Sequence, residues 1–108
     1  MSFFFRFYAV MKCFVYIIYS EKLNLFYKGQ TQNLDKRIER HNNESEKATK
    51  NGCPWKLIWS DSKDSRSEAL KLENKLKNLS RKRLIQFMLK YHEGFESQDE
   101  FLFIQKLC

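Results

Sequence analysis

Aromatic and β-branched residues form two runs near the start of the chain, at residues 13–19 and 25–30. The polar stretch between them contains Asn24, a residue type that readily forms turns. This pattern predicts an antiparallel hairpin, in which successive side chains alternate between the two faces of the sheet. Tyr16 and Tyr27 could therefore face the same side, depending on the register of the two strands.

A third strand is predicted at residues 55–60, where apolar and wetter positions alternate. One face would carry Trp55, Leu57 and Trp59, and the other would carry Lys56 and Ile58. The preceding segment, residues 42–54, is polar and contains the only proline of the chain. That composition predicts a long loop between the hairpin region and the third strand.

Capping residues mark the starts of three predicted helices. Either Thr31 or Asn33 precedes a first segment with helical periodicity. Ser65 opens the capping box Ser65-Arg66-Ser67-Glu68, and Ser80 precedes a third segment that is apolar almost all round. The predicted fold is therefore α/β, a small three-stranded antiparallel sheet flanked by helices.

The 108 residues, of which 43% are hydrophobic and 16% aromatic, suit a single domain with a real core. We expect this domain to occupy residues 13–91, after an N-terminal extension at residues 1–12. Residues 92–108 form an acidic and apolar C-terminal tail that is expected to pack back as a short element. Met11 is an alternative start of the chain.

The cysteines and the first residues of the chain indicate the cellular compartment in which the protein is expected. Cys13, Cys53 and Cys108 are odd in number and widely spaced, which favours neither a disulfide framework nor a zinc site and fits a reducing cytoplasm. The apolar opening is interrupted by Arg6 and is too short to span a bilayer. We therefore expect a cytoplasmic protein without a membrane partner.

Basic residues are unevenly distributed. The net formal charge is +7, and the segment from residue 74 to residue 90 contains six bases and no acid. Such a surface is typical of proteins that meet a polyanion, although a solvated helix face that keeps the protein soluble is an equal alternative. The candidate nucleic-acid-binding residues are Lys28, Lys77, Arg81, Lys82 and Arg83.

Candidate chemistry begins where the second predicted strand ends. Gly29 lacks a Cβ, so backbone or phosphate could approach closely there, unless the glycine only serves a strand-end turn. Arg37 and His41 are one helical turn apart, so they could grip one phosphate together. In the alternative interpretation, Arg37 pairs with a carboxylate and His41 covers the core.

Glu73 falls on the border of an apolar helical stripe rather than on its outer face. The stripe consists of Ala69, Leu72, Leu76 and Leu79. A carboxylate in that position tends to be partly buried, which is unfavourable unless something positive lies nearby. Its partner is either a metal ion or a basic side chain, Lys77 or Arg37.

Taken together, these motifs resemble the GIY-YIG nuclease superfamily, in particular its small stand-alone bacterial branch related to the N-terminal nuclease domain of the bacterial excinuclease. The resemblance spans about residues 13–91. It rests on Phe14-Val15-Tyr16, Tyr27-Lys28-Gly29, Leu34-x-x-Arg37-x-x-x-His41-Asn42, Pro54-Trp55-Lys56-Leu57 and Glu68-Ala69-x-x-x-Glu73-x-x-x-Lys77.

The resemblance implies cleavage of a DNA phosphodiester with one divalent metal ion, Mg²⁺ first and Mn²⁺ as an alternative. Glu73 matches the metal-binding glutamate, and Arg37 matches the arginine that neutralises the scissile phosphate. Tyr16 and Tyr27 match tyrosines that assist proton removal from the attacking water. His41 matches a position at which histidine orients Tyr16 or relays its proton.

Two departures from the family pattern lie in the strands. Phe14-Val15 stands where the family has Gly-Ile, and Lys28 replaces an isoleucine, while Gly29 matches the motif glycine. The first hypothesis is a metal-dependent endonuclease acting in DNA repair or on branched or foreign DNA. The alternatives are a nucleic-acid-binding module with little or no catalysis and a small protein that binds an acidic partner.

Overall fold

The computed structural model describes residues 12–108, so nearly all of the predicted N-terminal extension lies outside the described residues. The elements in this range are β1 Cys13–Ser20, β2 Leu25–Thr31, α1 Leu34–Asn42, β3 Trp55–Lys63, α2 Arg66–Lys77, α3 Arg81–Lys90 and α4 Gln98–Leu107. Two short 3-10 helices, Lys50–Gly52 and His92–Gly94, lie in the connections. The strands form one antiparallel sheet in the order β2-β1-β3, which confirms the predicted α/β fold.

The hairpin of β1 and β2 has the predicted turn and places both tyrosines on one side. Asn24 adopts a φ of 53°, the left-handed conformation that asparagine tolerates in turns. The register sets Tyr16 opposite Gly29 and Ile18 opposite Tyr27. Because directly paired residues share a face, Tyr16 and Tyr27 point to the same side of the sheet.

The third strand differs from its predicted alternation. Ile17 lies opposite Trp59 and Ile18 lies opposite Leu57, so Ile58 is an extra residue between two pairs. Such a bulge reverses the facing of the residues that follow it. The prediction that Trp59 shares a face with Leu57, and that Ile58 lies on the wetter face, was therefore wrong: Ile58 and Trp59 are both buried in the main core.

Three helices begin at the predicted caps. Asn33, rather than Thr31, caps α1 by accepting a hydrogen bond from the backbone N–H of Lys36. Ser65 and Ser80 cap α2 and α3 in the same way. These caps satisfy backbone donors that a helix start leaves unpaired, and they set where α1 presents its side chains to the sheet.

The sheet separates two clusters of side chains. The apolar face, which includes Val15 and Ile17, is covered by residues of α2, α3 and α4. The tyrosine face, which includes Tyr16 and Ile18, is covered by α1 and by the segment that leads into β3. Since these residues alternate along β1, one strand contributes to both clusters.

The C-terminal residues form a helix that packs back, as expected. Ile104 of α4 is fully buried in the main core, and α4 contacts both α3 and β3. Glu100 of the same helix makes an ion pair with Lys56 of β3 at 3.1 Å. Within the part of the chain that the structure describes, no helix has the length and apolar character needed to cross a membrane.

Candidate active site

The Tyr16 phenol lies directly against the backbone of β2 at Gly29. A Cβ at position 29 would lie 2.5 Å from the Tyr16 hydroxyl oxygen and 2.7 Å from Cζ of the same ring. Both separations are too short for non-bonded atoms. Only glycine at position 29 therefore avoids a steric clash with the phenol. The close approach at Gly29 is therefore made by a side chain of the neighbouring strand. A strand-end turn does not explain it, because β2 continues to Thr31.

The Tyr16 hydroxyl is buried and bonded to two side chains of α1. Arg37 Nε donates a hydrogen bond to it over 3.3 Å, and His41 Nε2 lies 2.8 Å away. Since the guanidinium can only donate, Tyr16 accepts from Arg37. The direction of its bond to His41 depends on the imidazole tautomer, and Tyr16 donates to His41 in the tautomer whose Nε2 carries no proton.

His41 extends the series of hydrogen bonds from Tyr16 to the loop before β3. Its Nδ1 lies 2.8 Å from Thr49 Oγ1, and both residues are almost completely buried. Burial and the positive charge of Arg37 lower the pKa of His41, so the ring is neutral at neutral pH. With Nε2 accepting, the ring proton is on Nδ1 and donates to Thr49. Hydrogen bonds thus run from Arg37 through Tyr16 and His41 to Thr49.

Thr49 is held in place by the loop before β3. Its carbonyl oxygen accepts hydrogen bonds from Trp55 Nε1 at 2.7 Å and from the backbone N–H of Gly52 at 3.1 Å. The Cys53 thiol donates to the carbonyl oxygen of His41 at 2.8 Å. Sequence reasoning did not identify Thr49, because a threonine in a polar loop carries no signal of burial.

Burial dominates the acidity of Tyr16. Desolvation raises its pKa to about 12, although the hydrogen bond and the charge of Arg37 act in the opposite direction. Tyr16 is therefore a neutral phenol at neutral pH. It can act on a water molecule only if its own proton leaves at the same time.

Arg37 keeps donor capacity for a ligand. Its Nη1 lies 3.3 Å from Glu46 Oε1, and Arg40 Nη2 lies 3.2 Å from the same oxygen. The side chain of Arg37 is 31% exposed, and its Nη2 makes no hydrogen bond with any residue in the range 12–108. Arg37 thus pairs with a carboxylate, as the alternative interpretation expected, and still presents an N–H edge. Sequence reasoning did not identify Glu46.

Tyr27 borders His41 rather than bonding to it. The two rings meet edge to face with centroids 5.4 Å apart, and Tyr27 is half-buried. On its other side Tyr27 approaches Trp55, with centroids 6.3 Å apart. Tyr16, Tyr27, Arg37 and His41 are therefore brought together by direct contact.

Glu73 approaches from the other side of the sheet. It lies on α2, which covers the apolar face, and it is only 8% exposed. Its Oε1 accepts a hydrogen bond from Gln30 Nε2 at 3.1 Å, and its Oε2 lies 3.4 Å from Lys77 Nζ. Of the two basic partners considered, Lys77 is the one present. Gln30 follows Gly29 in the edge strand β2 and pairs with Val15, so its contact with Glu73 lies on the sheet face opposite the tyrosine site. Among the described residues Glu73 makes no hydrogen bond or ion pair with Tyr16 or Arg37.

The oxygen ligands available at Glu73 suit only a cation that the protein encloses weakly. Residues 12–108 contain no group of three His, Cys, Asp or Glu side chains that could hold a metal ion. Mg²⁺, however, commonly keeps several waters and takes one or two carboxylates together with substrate phosphates. One buried carboxylate fits that mode, and the Gln30 group that faces it is the NH2 donor rather than an oxygen ligand. Its ion-pair partner Lys77 is half-exposed and can swing away.

Two of the predicted nucleic-acid-binding lysines, Lys28 and Lys77, lie near each other, and one of them, Lys77, contacts Glu73. Burial and the nearby charge of Lys77 lower the pKa of Lys28. Lys77 itself contacts Glu73. A concentration of positive charge therefore surrounds the edge strand where Glu73 approaches it.

The other three predicted basic residues begin α3. Arg81 is bound within the fold: its Nη1 and Nη2 donate to the carbonyl and side-chain oxygens of Asn24, each at 2.9 Å, and its guanidinium lies over the Phe26 ring. It therefore fastens α3 to the hairpin turn. Lys82 and Arg83 are exposed.

Comparison with known proteins gives the family. Residues 12–87 match the model of the GIY-YIG catalytic domain, and the chain belongs to this family of nucleases. Among its relatives, the UPF0213 protein SSP2268 of Staphylococcus saprophyticus is 35% identical over 78 residues, covering 71% of this chain and 94% of the relative. The UPF0213 protein YazA of Bacillus subtilis is 36% identical over 79 residues, covering 72% of each chain.

One solved structure similar to this chain is also a UPF0213 protein. The UPF0213 protein BH0048 from Bacillus halodurans, solved by NMR in solution, is 30% identical in sequence to this chain. The match covers 72% of this chain and 83% of BH0048, with a TM-score of 0.49. The names of these relatives do not state an enzymatic activity.

Proposed function

We propose that the protein is a metal-dependent endonuclease that hydrolyses a phosphodiester bond of DNA. The observation that supports this most strongly is the hydrogen-bonded series Arg37, Tyr16, His41, which joins a cationic anchor, a buried phenol and a neutral imidazole. Phosphodiester hydrolysis needs these three functions: an anchor for the phosphate, a group beside the attacking water and an acceptor for its proton.

Arg37 binds the phosphate in this proposal through the N–H edge that Tyr16 and Glu46 leave open. A planar guanidinium suits phosphate oxygens because it donates two parallel hydrogen bonds. Tyr16 takes a proton from the attacking water as it gives its own proton to His41 Nε2, so it remains a neutral phenol. Tyr27 packs edge to face against the His41 ring and helps to fix its orientation in this proposal.

The two pKa shifts explain why the relay rests in its neutral form. A phenolate and an imidazolium at these buried positions are both disfavoured, since burial raises the pKa of Tyr16 to about 12 and lowers that of His41. A phosphate bound at Arg37 offsets the positive charge that helps to lower the His41 pKa. Substrate binding therefore makes His41 a better proton acceptor.

Glu73 would hold the divalent cation, Mg²⁺ or Mn²⁺, as a single carboxylate ligand. When bound, the cation supplies positive charge that stabilises the oxygens on which charge builds during hydrolysis. Lys77 neutralises the Glu73 carboxylate otherwise. A site with one carboxylate binds the cation weakly on its own, so we expect tight binding only together with the nucleic acid.

The test is a cleavage assay on plasmid and branched oligonucleotides with Mg²⁺, with Mn²⁺ and with chelator. Tyr16→Phe is compared with Tyr19→Phe, which removes the same hydroxyl from the opposite face of β1, where it bonds Asn24. Glu73→Gln is compared with Glu68→Gln, an exposed acid on the same helix. We expect metal-dependent cleavage that both site variants abolish and both control variants retain.

A nucleic-acid-binding module without catalysis is the second candidate. It is supported by the ion pair that Lys77 already makes with Glu73 and by the high pKa of Tyr16. Salt-sensitive DNA binding without cleavage of any substrate by the wild type would establish this second function and refute the first.

The cellular role is part of the proposal. We place the enzyme in DNA repair or in the processing of branched or foreign DNA, because its motifs resemble those of the excinuclease nuclease domain. All three cysteines are free thiols, which suits a reducing cytoplasm. Nicking assays on a panel of DNA structures test the proposed role in DNA repair or in processing branched or foreign DNA.

A further inference from the structure

A polar cleft opens beside the tyrosine site, where β2 leads into α1. It has a volume of about 410 Å³ and is lined by Cys13, the segment 30–33, Arg37 of α1 and Arg66 of α2. The cleft therefore lies where two helices begin. A larger cavity of about 500 Å³, between β3, α2 and α3, contains none of the predicted site residues.

The lining of the cleft is suited to an anion. Two arginines from separate elements reach it, and no aspartate or glutamate is among its lining residues. The side chain of Arg66 is exposed and makes no hydrogen bond or ion pair with another residue in the range 12–108. Segment 30–33 adds neutral polar groups, as expected for a surface that meets the sugar-phosphate backbone. Within it, Gln30 Nε2 already donates to Glu73 and the Thr31 hydroxyl donates to the Asn33 carbonyl.

Arg66 occupies an unfavourable position for the fold itself. It is the first residue of α2, directly after the cap Ser65. A cation there opposes the helix dipole, and the exposed side chain gains no contact with the core that would offset this. An anion bound in the cleft would remove the conflict.

We propose that this cleft binds a second backbone phosphate of the nucleic acid, next to the phosphate held for cleavage, with Arg66 as its principal contact. Arg37 lines the cleft and also bonds Tyr16, so the two phosphate positions adjoin. The inference rests on the proposed function in taking nucleic acid as the substrate. It adds a contact, Arg66, that lies outside the predicted set of basic residues and acts in binding rather than in the chemical step.

The experiment measures binding of duplex and branched DNA in chelator, so that cleavage does not enter. Arg66→Gln is compared with Lys71→Gln, which removes one positive charge from an exposed position of the same helix but lines a different cavity. We expect Arg66→Gln to reduce the slope of log affinity against log salt by about one, the effect of losing one phosphate contact. Lys71→Gln should leave the slope unchanged, and Arg66→Lys should restore most of it.

A second measurement locates the contact. Ethylation of single phosphates should interfere with binding of the wild type at one position where it no longer affects Arg66→Gln. The melting temperature of Arg66→Gln should equal or exceed that of the wild type, because the substitution relieves the opposed helix dipole.

Equal loss of slope in Arg66→Gln and Lys71→Gln would overturn the inference, since it would show only a diffuse charge effect. An unchanged slope in Arg66→Gln would overturn it as well, even if the protein cleaves DNA. Conversely, a wild type that binds through Arg66 but cuts nothing would refute the nuclease and leave the cleft established.

Discussion

The two faces of one strand do different things in this protein. From β1, Val15 and Ile17 enter a continuous apolar core beneath three helices, whereas Tyr16 enters a smaller cluster with buried polar groups. The apolar face contains Leu76, Leu84 and Met88, which need only shape and volume. The tyrosine face must satisfy a hydroxyl, an imidazole and a guanidinium, and each of these demands a partner.

This difference indicates that the apolar face carries most of the stability, while the tyrosine face holds the side chains of the proposed chemistry. Substitutions of similar size on the two faces should therefore have distinct consequences. The comparison also shows why the loop before β3 matters. Thr49 supplies the last acceptor of the hydrogen-bonded series, so the loop belongs to the site rather than merely connecting two elements.

The largest effect on stability is expected on the apolar face. Ile17 is fully buried, and Ile17→Ala should lower the free energy of unfolding by about 2–5 kcal/mol through lost burial and a cavity. Urea unfolding measures this. Leu25→Ala, at a position that is 53% exposed, should change it by less than about 0.5 kcal/mol. A smaller loss for Ile17→Ala than for Tyr16→Phe would contradict the assignment of stability to this face.

Gly29→Ala should disturb the contact between the two strands of the hairpin. The new Cβ meets the Tyr16 hydroxyl, and the resulting overpacking should cost about 1–3 kcal/mol of stability. Because part of the clash is with the hydroxyl, the double variant with Tyr16→Phe should lose less than the sum of the two single losses, as measured in a double-mutant cycle. Additive losses would show that the clash is relieved elsewhere.

Thr49→Val tests the loop as part of the tyrosine face. Valine keeps the shape but leaves the His41 Nδ1–H buried without an acceptor, which should cost about 1–3 kcal/mol. Thr49→Ser keeps the hydroxyl and should lose clearly less. Chemical denaturation compares the two variants, and equal losses would indicate that the methyl group, not the hydrogen bond, matters.

The smallest effect is a pH dependence of stability. The folded-state pKa of His41 lies below its ordinary value of 6.5, so on acidification the unfolded chain takes up a proton first. Stability from this group is present above about pH 6.5 and is lost as the pH falls below it. Melting temperatures between about pH 7 and about pH 5 should fall more in the wild type than in His41→Gln. Parallel curves would show that His41 does not titrate differently in the folded protein.

Local patterns predicted much of the fold. Alternation in the hairpin, the turn at Asn24 and the caps Ser65 and Ser80 are short-range features, and the structure has each of them. The facing of Ile58 could not be predicted in this way. A bulge depends on how β3 pairs with β1, and pairing between strands that are distant in sequence is not visible in either strand alone.

The candidate site was predictable only where motif residues were involved. Arg37 and His41 share a helix face, so their joint approach to Tyr16 follows from spacing. Thr49 and Glu46 complete the hydrogen bonds and ion pairs from a loop whose path no periodicity describes. The position of Glu73, on the far side of the sheet, likewise depends on how α2 crosses β2.

The indole of Trp55 donates to the Thr49 carbonyl on the tyrosine face, and the indole of Trp59 donates to the Tyr91 carbonyl beneath the apolar face. The chain contains only these two tryptophans, so each face carries one intrinsic fluorophore. Replacing either one with phenylalanine leaves a protein whose emission comes from a single, known side. Movement of the loop before β3 and melting of the core then become separately visible without any attached dye.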